Sequence, residues 1–137
     1  ENIGNTIAIS GAPAEAFLPL ARRLGINDSN LLEMETSSGI YTGDAKTNMA
    51  LLDVKQAVVD SLIQFGKKKA SSFAFGDSES DLPLLNAVDN PFVLTEPNRD
   101  KGLVKIAQEK GWSIVDASTI LTEVKRRIFE LKEKNLI

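Results

Sequence analysis

Short β-prone runs alternate along this chain with longer segments whose apolar residues recur every three to four positions. Thr6-Ile7-Ala8-Ile9-Ser10 reads as a strand, closed by Gly11-Ala12-Pro13. Pro13 suits the first position of a helix that should turn Phe17, Leu20, Ala21 and Leu24 inward and stop at Gly25. Pro19 inside that helix removes one hydrogen bond and should kink or shorten it. Leu31–Thr36 and Ile40–Gly43 flank Ser37-Ser38-Gly39, the pattern of a small β-hairpin set as a flap or sheet extension between two helices. Asp53, with Gln56 three residues on, has the form of a capping box at a helix start, although the apolar stretch from Met49 could carry the helix further upstream. Val54, Val58, Leu62 and Phe65 form its inward stripe, which should end at Gly66.

The second half continues the alternation. Ser72-Phe73-Ala74-Phe75 predicts a short buried strand, Gly76 a sharp turn, and Leu82-Pro83-Leu84-Leu85 a helix whose first turn accommodates Pro83. Ser78 or Ser80 can cap that helix. Pro91–Leu94 is a further strand behind the turn Asp89-Asn90. Leu103, Ile106 and Ala107 mark a helix ending at Gly111, and Ser113–Val115 the last strand. A final helix starting at Asp116 or Ser118 carries Leu121, Val124, Ile128 and Leu131 as its apolar stripe. Strands alternating with helices predict an α/β fold of the Rossmann type: a mostly parallel sheet in a three-layer α/β/α arrangement, plus the small hairpin. Residues 1–115 would form the core and 116–137 an amphipathic helix packing on or extending it.

Composition narrows the chemistry. The 137 residues are one domain's worth of chain, with 42% hydrophobic residues, 26% charged residues and a formal net charge of −3, which offers no surface for nucleic acid or an anionic membrane. With no cysteine and no histidine, disulfides, thiolate or imidazole metal sites and Ser–His triads are excluded. Any catalysis must run on carboxylates, lysine, hydroxyls, backbone amides and a bound ion. The basic residues Lys125, Arg126, Arg127, Lys132 and Lys134 are interleaved with Glu123, Glu130 and Glu133, the mark of a solvated helix face. Lys46, Lys67, Lys68 and Lys69 read as surface charge. No apolar run approaches the roughly 18 residues of a membrane span, and no signal-peptide pattern opens the sequence, so the cytoplasm is the expected location.

Three places carry candidate chemistry. Ser10-Gly11, between a strand and a helix start, could offer a hydroxyl and backbone N–H groups to a phosphate; the plain alternative is a turn residue. Lys55, in the first turn of its helix, could neutralise anionic groups, or be a solvated surface charge. Asp77 and Asp81 would lie at the carboxyl end of a strand, where open α/β sheets place their ligand crevice. Two converging carboxylates suit a hard cation such as Mg2+. Alternatively, Asp77 ends a turn and Asp81 favours the positive end of a helix dipole.

The order Ser10-Gly11, Lys55, Gly76-Asp77-Ser78-Glu79-Ser80-Asp81 resembles motifs II, III and IV of the haloacid dehalogenase (HAD) superfamily, closest to its phosphoserine-phosphatase-like branch. Ile9–Pro13, Pro19–Gly25, Gly39–Gly43 and Lys110–Ile114 add to the likeness, which extends to Val115 and leaves the last helix unmatched. A receiver domain also gathers acidic residues at strand ends, but its lysine comes last in the chain. The HAD resemblance implies a phosphatase acting on a small phosphate monoester with Mg2+ as cofactor. Ser10 would hydrogen-bond the transferring phosphoryl group, Gly11 would offer its N–H, and Lys55 would stabilise nucleophile and phosphate. Asp77 would coordinate Mg2+, and Asp81 would support the ion directly or through water. Val54 stands where the family usually has glycine before the lysine.

The family's first motif, Asp-x-Asp-x-Thr or Val, with the nucleophilic aspartate and the general acid/base, is absent from the sequence. Asp28 lies in the turn Asn27-Asp28-Ser29 with no β run before it, and Asp44, Asp53 and Asp60 likewise lack a preceding apolar strand. The expectation is a chain that starts, at Glu1 and without methionine, downstream of motif I and of the cap inserted after it. Its sheet would then be incomplete at the central strand, between those ending at Ser10 and Asp77. Each open backbone pair costs on the order of 1–3 kcal/mol, so an upstream segment or a neighbouring chain should fill the slot. The competing expectation, resting on the missing nucleophile, is a non-catalytic module that binds Mg2+ or phosphate or serves as a structural partner.

Overall fold

A computed structural model describes residues 6–26, 28–49, 51–64 and 72–137, which divide into two units, Glu1–Val58 and Val59–Ile137. The fold is mixed α/β, as the alternation predicts.

In the first unit, β1 (Ile7–Pro13) leads into α1 (Ala14–Arg23), followed by β2 (Asp28–Ser37) and β3 (Ile40–Thr47). β1 and β2 pair in parallel from Ile7↔Asp28 to Ser10↔Leu31, and the register then breaks before Pro13↔Leu32. β2 and β3 pair antiparallel. The hairpin turn is Ser38-Gly39, with φ of 51° and 78°; two successive positive φ values mark the turn type whose twist matches that of the flanking strands. The hairpin is longer than the sequence predicts and extends the sheet, because β2 bonds to β1 along its first half. Asp28, expected in a turn, opens β2, since its pairing with Ile7 draws the backbone into the sheet.

Three details of the helices differ from expectation. Pro13 ends β1 and stands at the N-cap, not the first helical position, because the strand continues through Gly11-Ala12. Within α1 only Ala21 is buried; Leu20 and Leu24 are 48% and 62% exposed, since the small sheet covers a narrower stripe than the helical repeat offers. α1 ends before Gly25, at φ 71°, as expected. α2 (Leu52–Gln64) begins upstream of Asp53, which places Asp53 inside the first turn, where its Oδ1 accepts the N–H of Val54 at 3.0 Å. Phe65, Gly66, Lys67, Lys68 and Lys69, expected at and beyond its end, lie outside the described residues.

The second unit is the better packed. β4 (Phe73–Gly76), β5 (Asn90–Leu94) and β6 (Ser113–Val115) form a parallel sheet in sequence order, with α3 (Leu82–Asn86) and α4 (Lys101–Lys110) as connections and α5 (Ile120–Glu133) at the end. Parallel neighbours need such crossovers, and the helices cover the apolar residues of the strands. Ala74, Leu85, Val93, Leu103, Val104 and Ala107 make one buried cluster, with Leu82, Leu84, Val88, Trp112 and Ile114 packed against it. On the other face Phe92 stacks with Phe75 and Phe73, ring centroids 5.2 and 6.1 Å away. Gly111 closes α4 in the left-handed conformation at φ 69°. Asn90 is buried within β5, and its Nδ2 donates to the Ser72 carbonyl at 2.9 Å, fastening the strand where a turn was expected.

α5 starts at Ile120, later than expected, because Asp116 first builds a turn: its Oδ1 accepts the N–H groups of Ser118 and Thr119 at 2.8 and 3.0 Å. Of its expected stripe, Leu131 is buried and Val124 and Ile128 half-buried, whereas Leu121 is 69% exposed, lying in the first turn beyond the reach of the sheet. The charged residues are a solvated face, with Arg126 paired to Glu123 and Glu130, and Arg127 to Glu130.

Among the described residues β1 bonds to no strand but β2, and β4 to no strand but β5. No helix among the described residues is long and apolar enough to cross a membrane.

Candidate functional site

The carboxyl end of β4 carries an organised polar loop. Gly76 ends the strand against the side chain of Asp81: a Cβ built at position 76 would lie 2.6 Å from the Asp81 Cβ and 3.1 Å from its Oδ2. Glycine is therefore required here for close approach, not for a left-handed turn. Asp81 is buried, and its Oδ2 accepts the N–H groups of Asp77 and Ser78 at 3.0 and 3.3 Å. Ser78 caps the short 3-10 turn Glu79–Asp81 in a reciprocal capping box with Asp81, and its Oγ shares a 2.8 Å hydrogen bond with the Ser80 Oγ. The 3-10 turn stands between the loop and α3, where a continuous helix was expected, and Pro83 falls in the first turn of α3 as expected. The Asp77 side chain, in contrast, is exposed at the strand end.

A residue not singled out in the sequence completes this loop. Asp100 Oδ2 accepts the Glu79 N–H at 3.1 Å, while its Oδ1 accepts the Leu103 N–H at 3.0 Å and caps α4. The Asp100 carboxyl is held below the ordinary 3.8, chiefly by the Leu103 N–H and then by the Glu79 N–H, against desolvation, with the Gly102 N–H adding least. Asp100, one residue ahead of α4, carries a readable N-cap signal. Its second bond, to a residue 21 positions earlier, has no such signal.

In the first unit, the register break after Ser10 releases Gly11 and Ala12 from regular pairing with β2. The Ala12 N–H donates to Ser10 Oγ at 3.1 Å, which orders the turn ahead of α1; a hydroxyl that accepts this bond retains its own proton to donate. Lys55 is 5% exposed, which removes the solvated-surface alternative for it. A buried lysine is retained only where its surroundings compensate the charge, so its burial marks a specific environment.

The donor set at β4 consists of carboxylates in a chain without histidine or cysteine, which fits a hard oxygen-seeking ion such as Mg2+ and not zinc or copper. Among the described residues no group of three or more acidic, histidine or cysteine side chains gathers. Two carboxylates with water and substrate oxygens are a usual protein contribution to a Mg2+ shell.

No family model matches the chain. It is 32% identical over 109 residues to a phosphoserine phosphatase of Mycobacterium tuberculosis, a match that takes in 79% of this chain and 34% of that protein. Among solved structures, a substrate-bound phosphoserine phosphatase superposes with a TM-score of 0.66 at 18% identity, over 85% of this chain and 54% of the other. A HAD family hydrolase of Salmonella enterica serovar Typhi superposes with a TM-score of 0.60 at 19% identity, over 81% of this chain and 36% of the other. The chain is related to the HAD phosphatases. Its likeness is to the phosphoserine phosphatases among them, and its fold is theirs. The chain spans 34% to 51% of the length of the curated relatives it matches in sequence.

Proposed function

We propose that this chain supplies the phosphate- and metal-binding part of a Mg2+-dependent HAD phosphatase that hydrolyses a small phosphate monoester. The observation that carries the reading is the loop after β4: Asp81 Oδ2 ties down the N–H groups of Asp77 and Ser78, and the Asp77 carboxylate stands exposed at the strand end. Asp77 would hold Mg2+, with Asp81 supporting it directly or through water while it orders the loop. When bound, the ion supplies charge neutralisation at the phosphoryl oxygens. Ser10 would donate its hydroxyl proton to a phosphoryl oxygen and Gly11 its N–H. The Lys55 ammonium would offset the charge of nucleophile and phosphate.

The nucleophile comes from outside these 137 residues. A carboxylate oxygen of an aspartate attacks phosphorus, the ester P–O bond breaks, and the alcohol leaves with a proton from a general acid. Water then hydrolyses the aspartyl-phosphate, releasing inorganic phosphate and restoring the carboxylate. The segment that brings this aspartate would be a strand set against β4, which among the described residues pairs only with β5. The exposed Phe75 on β4 favours such a cover.

The test is hydrolysis of p-nitrophenyl phosphate by the complete gene product with and without Mg2+. Activity should require Mg2+ and fall at least about a hundredfold in Asp77→Asn. Activity that survives Asp77→Asn sinks this reading. Mg2+ binding with no hydrolysis at all leaves the non-catalytic module in its place.

A further inference from the structure

Asp81 organises the metal loop from inside, through N–H groups three and four residues away. A second attachment joins the loop to the body of the second unit, besides Leu85 of the adjoining α3. That attachment comes from α4, whose inward residues Leu103, Val104 and Ala107 are buried in the core cluster. The Asp100 carboxylate stands between them with one oxygen on each: Oδ2 to the Glu79 N–H at 3.1 Å and Oδ1 to the Leu103 N–H at 3.0 Å. The Glu79 side chain closes over the same spot, since a Cβ added at Gly102 would lie 1.8 Å from Glu79 Oε1. Helix capping alone needs one acceptor, which serine or asparagine would serve as well. Both of Asp100's main partners are donors, so the second bond needs the second carboxylate oxygen.

We propose that Asp100 is a positioning residue for the Mg2+ loop, a carboxylate clamp that holds the Glu79 backbone against the first turn of α4 and so fixes where Asp77 and Asp81 present their oxygens. The clamp rests on the proposed metal role of Asp77. Partners behind the ligands commonly set metal affinity as strongly as this, because a mobile ligand must be ordered each time the ion binds. Asp100→Asn separates the two duties: the amide still caps α4 with its single oxygen, and its NH2 faces the Glu79 N–H and repels it.

The experiment is calorimetric titration of Mg2+ into the complete gene product, as wild type, Asp77→Asn, Asp100→Asn and Asp100→Ala, with metal-free melting curves and amide exchange at Glu79. Asp100→Asn should bind Mg2+ roughly tenfold more weakly, with faster exchange at Glu79 and a metal-free Tm near wild type. Asp100→Ala should lose the same affinity and also melt lower. Wild-type Mg2+ affinity in Asp100→Asn, while Asp77→Asn is defective, overturns the clamp and leaves Asp100 a helix cap. Absence of Mg2+ binding in the wild type overturns the metal reading and the clamp together. Undiminished Mg2+ binding in Asp77→Asn overturns the metal reading itself.

Discussion

The irregular end of β1 and the loop after β4 both open toward a helix, yet they are built to different standards. The first has one local hydrogen bond, Ala12 N–H to Ser10 Oγ, and leads into a helix with no side-chain cap. The second has a buried aspartate accepting two N–H groups, a capping box and the long-range bond to Asp100. The units behind them differ in the same sense. Leu85, Val93, Leu103 and Ala107 are wholly enclosed around the second loop, whereas the first unit leaves Leu20, Leu24, Ile40 and Tyr41 exposed. A backbone N–H offered to a phosphate needs only the local chain to be ordered. A carboxylate that must meet an ion at a fixed distance needs a rigid support behind it.

Core truncations should break this contrast most visibly. Leu85→Ala removes a fully buried side chain and should destabilise the protein by about 3 kcal/mol in urea unfolding, while Leu20→Ala should cost under about 0.5 kcal/mol. Equal effects would mean that the first unit has a core of its own comparable with the second. Next comes Gly76→Ala. Its new Cβ would press on the Asp81 Cβ, which cannot swing away as a chain end can, so a cost of about 2 kcal/mol and a disturbed loop are expected. Retained stability there would show the loop to be softer than its hydrogen bonds indicate.

The smallest effect concerns acid. The Asp116 carboxyl lies below the ordinary 3.8, held there first by the Ser118 hydroxyl and then by the Ser118 N–H, with Thr119 adding to both. A depressed carboxyl stabilises the fold above its unfolded value, and that contribution is lost as the pH falls from 3.8 through the lower folded value. Asp116→Asn should therefore flatten the fall of Tm below pH 3.8 slightly and leave neutral-pH activity unchanged. An unaltered acid limb would show that Asp116 does not contribute to that fall.

Much of the fold was legible because its signals are local. Gly111 stops α4, Ser38-Gly39 turns the hairpin, and the three strands of the second unit stand within a residue of their apolar runs. The order Ser10-Gly11, Lys55, Asp77, Asp81 also lay open in the sequence, and with it the HAD relationship. Less legible was which face of an amphipathic helix is covered. Leu20, Leu24 and Leu121 satisfy the helical repeat and remain exposed, because periodicity fixes a stripe on a helix and not the width of the surface opposite it.

Sequence alone determined the alternating α/β pattern, the lack of any nitrogen or sulfur side-chain ligand of the histidine or cysteine kind, and the acidic loop after a short strand. Tertiary structure decided that Lys55 is buried, that Gly76 is needed because Asp81 crowds it, and that Asp100 reaches Glu79 across 21 residues. Turns, caps and repeats arise from neighbours within about four residues, which a sequence displays directly. Burial and long-range hydrogen bonds depend on which distant segments the chain brings together, and that is settled only when the sheet and helices have packed.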